Sequence, residues 1–376
     1  MNLSPVRLAK SILGPDEAKA VSRVILEDGY LGMGREVESF EAEIAAFLGV
    51  PSSHVVCVSS GTAALHLAVA AICKADDEIL VQSLTYVASY QAISAAAIPV
   101  SCEVLEKNIT INLDDAKSRI TPATRAIMPV HYASNPGDLS AIYEFAKKND
   151  IRVIEDAAHA FGCSYDGKLI GSFGDIVCFS FDGIKNITSG EGGAVVTADA
   201  DVAQQVRDAR LLGVEKDTAK RFSGERSWEF DVSQQGYRYH MSNLFAAIGR
   251  VQLSRFAKEF APKRVALAQQ YRTLLGNHPQ VNLLESDLGA IIPHIQPICV
   301  TAGRRDALKD YLEKNSIQTG IHYKPNHLLS YYGSGKESFI VSERLYKELL
   351  SLPLHPEMRT DEVQAICNLI IKFLAS

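Results

Sequence analysis

The chain has 376 residues, 47% of them hydrophobic and 22% charged, which is the composition of a globular protein and excludes a disordered or fibrous one. At about 150 residues per domain the length predicts two or three domains. Lys+Arg 38 against Asp+Glu 44 leaves a net charge of −6, which argues against a general nucleic-acid or anionic-membrane surface while leaving room for a local cationic pocket.

Seven cysteines (Cys57, Cys73, Cys102, Cys163, Cys178, Cys299 and Cys367) are widely spaced and contain no C-x-x-C pair, so neither a zinc site nor a disulfide framework is expected, and no metal is predicted. The expected compartment is the reducing cytoplasm. The opening MNLSPVRLAK lacks the apolar run of a signal peptide. Residues 80–102 form the longest uncharged stretch, long enough to span a bilayer, but Gln82, Ser83, Thr85, Ser89, Gln91, Ser94 and Pro99 interrupt it. It reads as strand, loop and helix, with no membrane partner.

Between residues 55 and 197 short β-branched runs alternate with helical stretches: VVCV, GTAALHLAVAAI, EILVQ, YVASYQAISAA, IPVSCEV, TRAIMPV, DLSAIYEFAKKN and IRVIED. That alternation predicts βαβ units around a largely parallel buried sheet, with ligands beyond the C-terminal ends of its strands. Residues 214–239, polar and without a clear period, read as a long loop. A helix through SNLFAAIGRVQLSRF, capped by its serine, follows. Beyond residue 261 the pattern predicts a helix, a strand (IQPICV), a helix (RRDALKDYLEKN), a strand (IQTGIHY) and a last helix opened by Thr360 and Asp361. The chain is thus divided into a large domain over residues 1–260, with a helical N-terminal segment, and a smaller α+β domain over residues 261–376.

Three segments carry candidate chemistry. IRVIEDAAHA ends a strand in Glu155 and Asp156, placing a carboxylate at the sheet edge where ligands are expected. FSFDGIKNITSGEGGAVVT holds Lys185 in a turn-rich stretch between two strands. VSSGTAALHLAV runs from a strand through Ser60, Gly61 and Thr62 into a helix whose first N–H groups favour an anion. Singly, each has a plain structural reading as a solvated lysine, a strand-end cap or a helix cap. Together they supply the Schiff-base lysine, the carboxylate for a pyridinium nitrogen and the phosphate donors that a pyridoxal 5′-phosphate enzyme needs. A dinucleotide site is disfavoured, because GMG at Gly32 and GEGG at Gly190 do not lead from a strand into a helix in the required way.

The ordered blocks GREVESFEAEIAAFLGV, VSSGTAALHLA, DEILVQSLTYVAS, TRAIMPVHY, VIEDAAHAFGCSYDGKLIGSFGDIVCFSF, GEGGAVVT, GYRYHMSNLFAAIGRVQL and SLPLHP span nearly the whole chain. In them the chain resembles the nucleotide-sugar aminotransferase family. The resemblance implies an α/β fold of the PLP-dependent transferase type I, a mainly parallel seven-stranded sheet between helices with a smaller C-terminal α+β domain. It implies that Lys185 is the Schiff-base lysine, Asp156 the partner of the ring nitrogen, and Tyr86 the aromatic stacked on the ring. His159 corresponds to a position near the ring hydroxyl, and Gly61, Thr62 and Ser180 to phosphate contacts. His322 and Tyr323 fall in a segment that lines the substrate side.

The resemblance further implies a homodimer in which the segment GYRYHMSN completes the partner's phosphate site, where Arg238 stands in place of the commoner Asn. An arginine offers a phosphate forked donors. YASNP, with Ser134 and Asn135, departs from the family's usual YGQP or YAGAP. The implied reaction is ping-pong transfer from L-glutamate to a keto sugar nucleotide. EDAAHA with FSF-x-x-I-K-N-I-T favours C4 of a 4-keto-6-deoxy sugar. The alternatives are C3 amination and a keto sugar without a nucleotide. A dehydratase of the same fold would carry His in place of Lys185, and a non-catalytic regulator would be expected to lose Lys185 or Asp156.

Overall fold

The computed structural model describes residues 5–215, 217–225, 228–232, 234–333 and 337–376. Two helices, α1 (Pro15–Arg23) and α2 (Arg35–Leu48), precede the first strand, β1 (Val55–Val58). There follow α3 (Gly61–Ile72), β2 (Glu78–Gln82), α4 (Val87–Ser94), β3 (Ile98–Cys102), α5 (Leu113–Arg119), β4 (Thr124–Met128), α6 (Leu139–Lys148) and β5 (Arg152–Asp156). A two-residue hairpin, β6 (Ser164–Tyr165) and β7 (Lys168–Leu169), leads to β8 (Ile176–Ser180) and β9 (Gly193–Thr197). Helices α7 (Ala200–Ala209), α8 (Asp217–Phe222), α9 (Asn243–Arg255) and α10 (Ala261–Leu275) come next. The chain ends with β10 (Val281–Leu283), β11 (Gln296–Val300), α11 (Arg305–Lys314), α12 (Ile340–Glu348), β12 (Leu349–Leu352) and α13 (Thr360–Leu374).

The main sheet has seven strands in the order β1-β9-β8-β5-β4-β2-β3, and only β9 runs antiparallel to its neighbours. Apart from the part-exposed edge strand β3, its strands are largely buried, which is why their sequences are nearly continuous apolar runs. Alternate residues feed different cores: Val55 and Cys57 of β1 face one side while Val56 and Val58 face the other, and β8 divides likewise between Val177 and Phe179 and Ile176 and Cys178. The uncharged stretch from residue 80 is β2, α4 and β3 of this sheet, and among the described residues no helix is long and apolar enough to cross a membrane. Polar caps start the covering helices: Ser60, Asn112, Asp138, Asp199 and Ser242 each accept a backbone N–H of the first turn. Each such cap is worth about 1 kcal/mol.

A three-stranded antiparallel sheet, β10-β11-β12, packs on α10, α11 and α13 around a separate apolar cluster. Val6 belongs to this cluster and bridges Ile317, so the start of the chain is stitched to its C-terminal part.

Two expectations differ from the structure. IQTGIHY is not a strand, because it divides its pairing: Ile317 bridges Val6 while Gly320 bridges Ser351 of β12, and neither contact extends into a ladder. The stretch 214–239 is not wholly loop, since it contains α8 and the antiparallel bridge Val214 to Val232. Of that stretch, residues 216, 226, 227 and 233 lie outside the described residues.

One buried ion pair fixes how α2 and α7 meet β1. Arg210 is 0% exposed. Its Nη1 donates to Glu41 Oε1 at 2.6 Å and to Cys57 O at 2.5 Å, and Cys57 N donates to the same carboxylate oxygen at 2.8 Å. Removing the acid leaves a buried cation without its partner. Glu41→Ala is therefore expected to cost about 3–5 kcal/mol, read as a lowered urea midpoint at unchanged slope.

Candidate active site

The C-terminal ends of β1, β5 and β8 open into a cavity of about 370 Å³. Gly61, Thr62, Tyr86, Asp156, His159, Ser180, Lys185, His322 and Tyr323 all line it. Arg238 does not: it is exposed, on a segment held to the sheet edge by the bonds Ser59 N to Tyr239 O at 2.6 Å and Tyr239 N to Arg210 O at 3.0 Å. The structure therefore brings together nine of the ten expected residues and leaves the tenth on the surface.

Asp156 ends β5, paired in parallel register with Cys178 of β8. The residue is 5% exposed and its carboxylate is held at both oxygens, Oδ2 accepting from Ser89 Oγ at 2.6 Å and Oδ1 from Ala158 N at 3.2 Å. A buried carboxylate held this firmly suits a fixed cationic partner. Lys185 is half-buried in the connection from β8 to β9. Burial pushes its amine down to about 8, against the opposing pull of Asp156 and Asp182.

At the N-terminus of α3, Ser60 Oγ accepts from Ala63 N at 3.0 Å. A Cβ at Gly61 would lie 2.6 Å from Ser180 Cβ. The absent side chain thus lets the strand end of β8 approach the first turn of the helix. The result is a polar cradle of a buried serine and free helix N–H groups, suited to an anion.

The opposite wall is aromatic and imidazole. Tyr86 and Tyr323 stand with ring centroids 5.3 Å apart. Tyr323 OH is 3.3 Å from His159 Nε2, and His159 lies 4.5 Å, centroid to centroid, from His294. His322 Nδ1 is 2.8 Å from Ser351 Oγ. Burial is the first cause that lowers the proton affinity of all three imidazoles, and the nearby Lys185 adds to it; His322 falls to about 4. All three are neutral at pH 7. Burial raises the Tyr323 phenol, which also stays neutral.

Asp182, Glu191, Tyr132 and His294 also line the cavity and were not expected from the sequence. Asp182 had a signal, standing in the same turn as Lys185 and three residues before it. His294 had none, being a lone histidine ahead of a strand. Ser134 in the divergent YASNP stretch is structural: its Oγ donates to His159 O at 2.5 Å and accepts from His294 N at 3.0 Å. Asn135 donates to Glu285 O at 2.8 Å.

The family model described as the DegT/DnrJ/EryC1/StrS aminotransferase family matches residues 12–371. The chain belongs to this family. It is an aminotransferase, and its fold and its use of pyridoxal phosphate follow from that membership. Among relatives, it is 34% identical to a dTDP-4-dehydro-2,3,6-trideoxy-D-glucose 4-aminotransferase of Saccharopolyspora spinosa, over 96% of this chain and 95% of the other. Among solved structures, it resembles the aminotransferase TlmJ from Streptoalloteichus hindustanus with a TM-score of 0.91 and 30% identity, covering 98% of this chain and 99% of that one. The sugar aminotransferase CalS13 from Micromonospora echinospora gives 0.88 and 28%, over 98% and 99%.

The residues present fit the family's cofactor. The cradle that a Cβ at Gly61 would fill suits the phosphate, the doubly held Asp156 carboxylate suits a cationic ring nitrogen, and the Lys185 amine, pushed down to about 8, suits a reactive nitrogen.

Proposed function

We propose that this aminotransferase moves an amino group from L-glutamate to C4 of a keto sugar nucleotide, a 4-keto-6-deoxy sugar, by a ping-pong course. The observation that carries the reading is the meeting of Lys185 and Asp156 in one cavity at the sheet's C-terminal edge. The C4 assignment is supported by the sequence around Lys185 and by the 4-aminotransferase relative from S. spinosa.

Bound pyridoxal phosphate supplies a carbonyl that accepts the amino group of one substrate and yields it to the next. Gly61, Thr62 and Ser180 would hold its phosphate, Tyr86 its ring face, His159 the region of its ring hydroxyl and Asp156 its ring nitrogen. Lys185 Nζ accepts the proton from the donor's α-carbon and, in the second half, delivers a proton to C4 of the sugar. An amine titrating near 8 does both at neutral pH, because neither protonation state is far out of reach. His322 and Tyr323 are proposed to face the substrate as neutral hydrogen-bonding groups, so they orient it without adding charge.

In this reading residues 1–260 carry the cofactor and residues 261–376 add His294, His322 and Tyr323. The seven cysteines are all unpaired, which supports a cytoplasmic enzyme.

Charge supports the homodimer. Among the described residues the cavity lining holds Asp156, Asp182 and Glu191 against the single cation Lys185. Cofactor, donor and nucleotide sugar are all anionic, so a further cation from outside this chain's own lining would help to balance them. Arg238, exposed on its pinned segment, is proposed to reach the partner's phosphate site.

Two experiments test this reading. The protein is incubated with glutamate and a panel of 3-keto and 4-keto sugar nucleotides, and the product is examined by NMR. A new amine at C4 is expected; an amine at C3, or no amino sugar from any member, overturns the assignment. Mixing Lys185→Ala and Arg238→Ala chains is expected to restore about a quarter of native activity, since half of the dimers then hold one intact site out of two. No recovery after verified subunit exchange contradicts the shared site.

A further inference from the structure

Lys185 is presented by the turn that starts at the end of β8, and Asp182 closes that turn twice. Its backbone carbonyl accepts from Lys185 N at 3.1 Å, and its Oδ1 accepts from Ile184 N at 3.2 Å. Such a side-chain bond two residues ahead imitates a backbone turn. The turn's entry is fixed as well, with Phe181 N donating to Gly192 O at 2.8 Å and Asp182 N to Ser180 Oγ at 3.4 Å.

The same side chain lines the cavity and lies within electrostatic reach of the amine. The other carboxylate near the amine, Asp156, is already committed at both oxygens to Ser89 and Ala158. With a cationic ring nitrogen before it, Asp156 is taken up by that charge. The remaining groups around Lys185 are neutral at pH 7: His159 from the turn after β5, His294 ahead of β11, and His322 and Tyr323 from the segment crossing to β12. The charges that act on the amine, among the described residues, are Asp156 and Asp182; Glu191, at the far end of the lysine's own connection, has its carboxyl raised by burial first and by Asp182 second. Asp182 is therefore the carboxylate left to the lysine.

We propose that Asp182 is a positioning residue for Lys185: its side chain holds the turn that presents the amine, and its charge offsets the burial of that amine's positive form. The proposal rests on Lys185 being the reactive amine of the site. Two requirements are met by one residue, and substitution separates them. Asparagine keeps the Oδ1 acceptor and removes the charge, whereas alanine removes both.

The charge is read on the cofactor-free full-length chain. The acetylation rate of the Lys185 peptide is followed by mass spectrometry against pH. The wild-type midpoint is expected at about 8. A negative neighbour favours the protonated amine, so Asp182→Asn is expected to lower the midpoint by about one pH unit. The absorbance titration of the cofactor-loaded enzyme is expected to move in the same direction. The turn is read in turnover: Asp182→Ala is expected to lose about tenfold more kcat than Asp182→Asn, because asparagine restores the acceptor.

An unmoved midpoint in Asp182→Asn overturns the electrostatic role, and equal kcat in the two variants overturns the turn. Asp182→Asn keeps the turn's hydrogen bond, so the electrostatic test does not depend on alanine being tolerated. Failure of the catalytic reading itself has a different sign. Lys185→Ala would then transfer amino groups undiminished, whereas the labelling measurement reads the amine whatever reaction it serves.

Discussion

The site depends on keeping a lysine amine near neutrality while two carboxylates stand beside it. Burial disfavours the ammonium, and Asp156 and Asp182 favour it; burial prevails, and the amine titrates near 8 instead of 10.5. The balance has a thermodynamic consequence. At pH values below about 8 the buried ammonium costs stability in full, and the cost is lost as pH rises toward 10.5, because the unfolded chain still binds the proton that the native chain has released. A reactive group is held at the expense of the fold that presents it.

The rest of the architecture serves that arrangement. Parallel pairing of β5 with β8 puts Asp156 at the edge from which the lysine's turn departs, and antiparallel β9 brings the chain back so that the turn is anchored at both ends. The absence of a side chain at Gly61 lets Ser180 close on the first turn of α3. The imidazole wall is neutral because it is buried beside the lysine, so it adds hydrogen-bonding capacity without further charge. This leaves the single chain's cavity with an excess of carboxylates. Among the described residues, that excess is what motivates the proposed homodimer, in which a second chain would supply a cation.

Much of this was legible in the sequence because the relevant patterns are local. The strand-end carboxylate, the lysine in its turn and the S-G-T entry to α3 each sit within a few residues of an apolar run whose period fixes the element. What was not legible is what distant segments bring together. His294 reaches the site from ahead of β11, and nothing near it marks it out. The Glu41–Arg210 pair joins residues 169 positions apart in the interior of the fold. IQTGIHY has the composition of a strand, yet its pairing is split between Val6 and Ser351, and no local signal could reveal that competition. Polar composition suggested loop at α8, where the helix is carried by a short charged run including the pair Asp217 and Arg221.

The most direct test of the account is to reduce the cofactor-loaded protein with borohydride, which fixes pyridoxal phosphate covalently to the amine that carries it, and to map the adduct by peptide mass spectrometry. The account predicts a single modified peptide, the one containing Lys185. An adduct on a different lysine, or an unmodified Lys185 peptide in protein that holds stoichiometric cofactor, would contradict it.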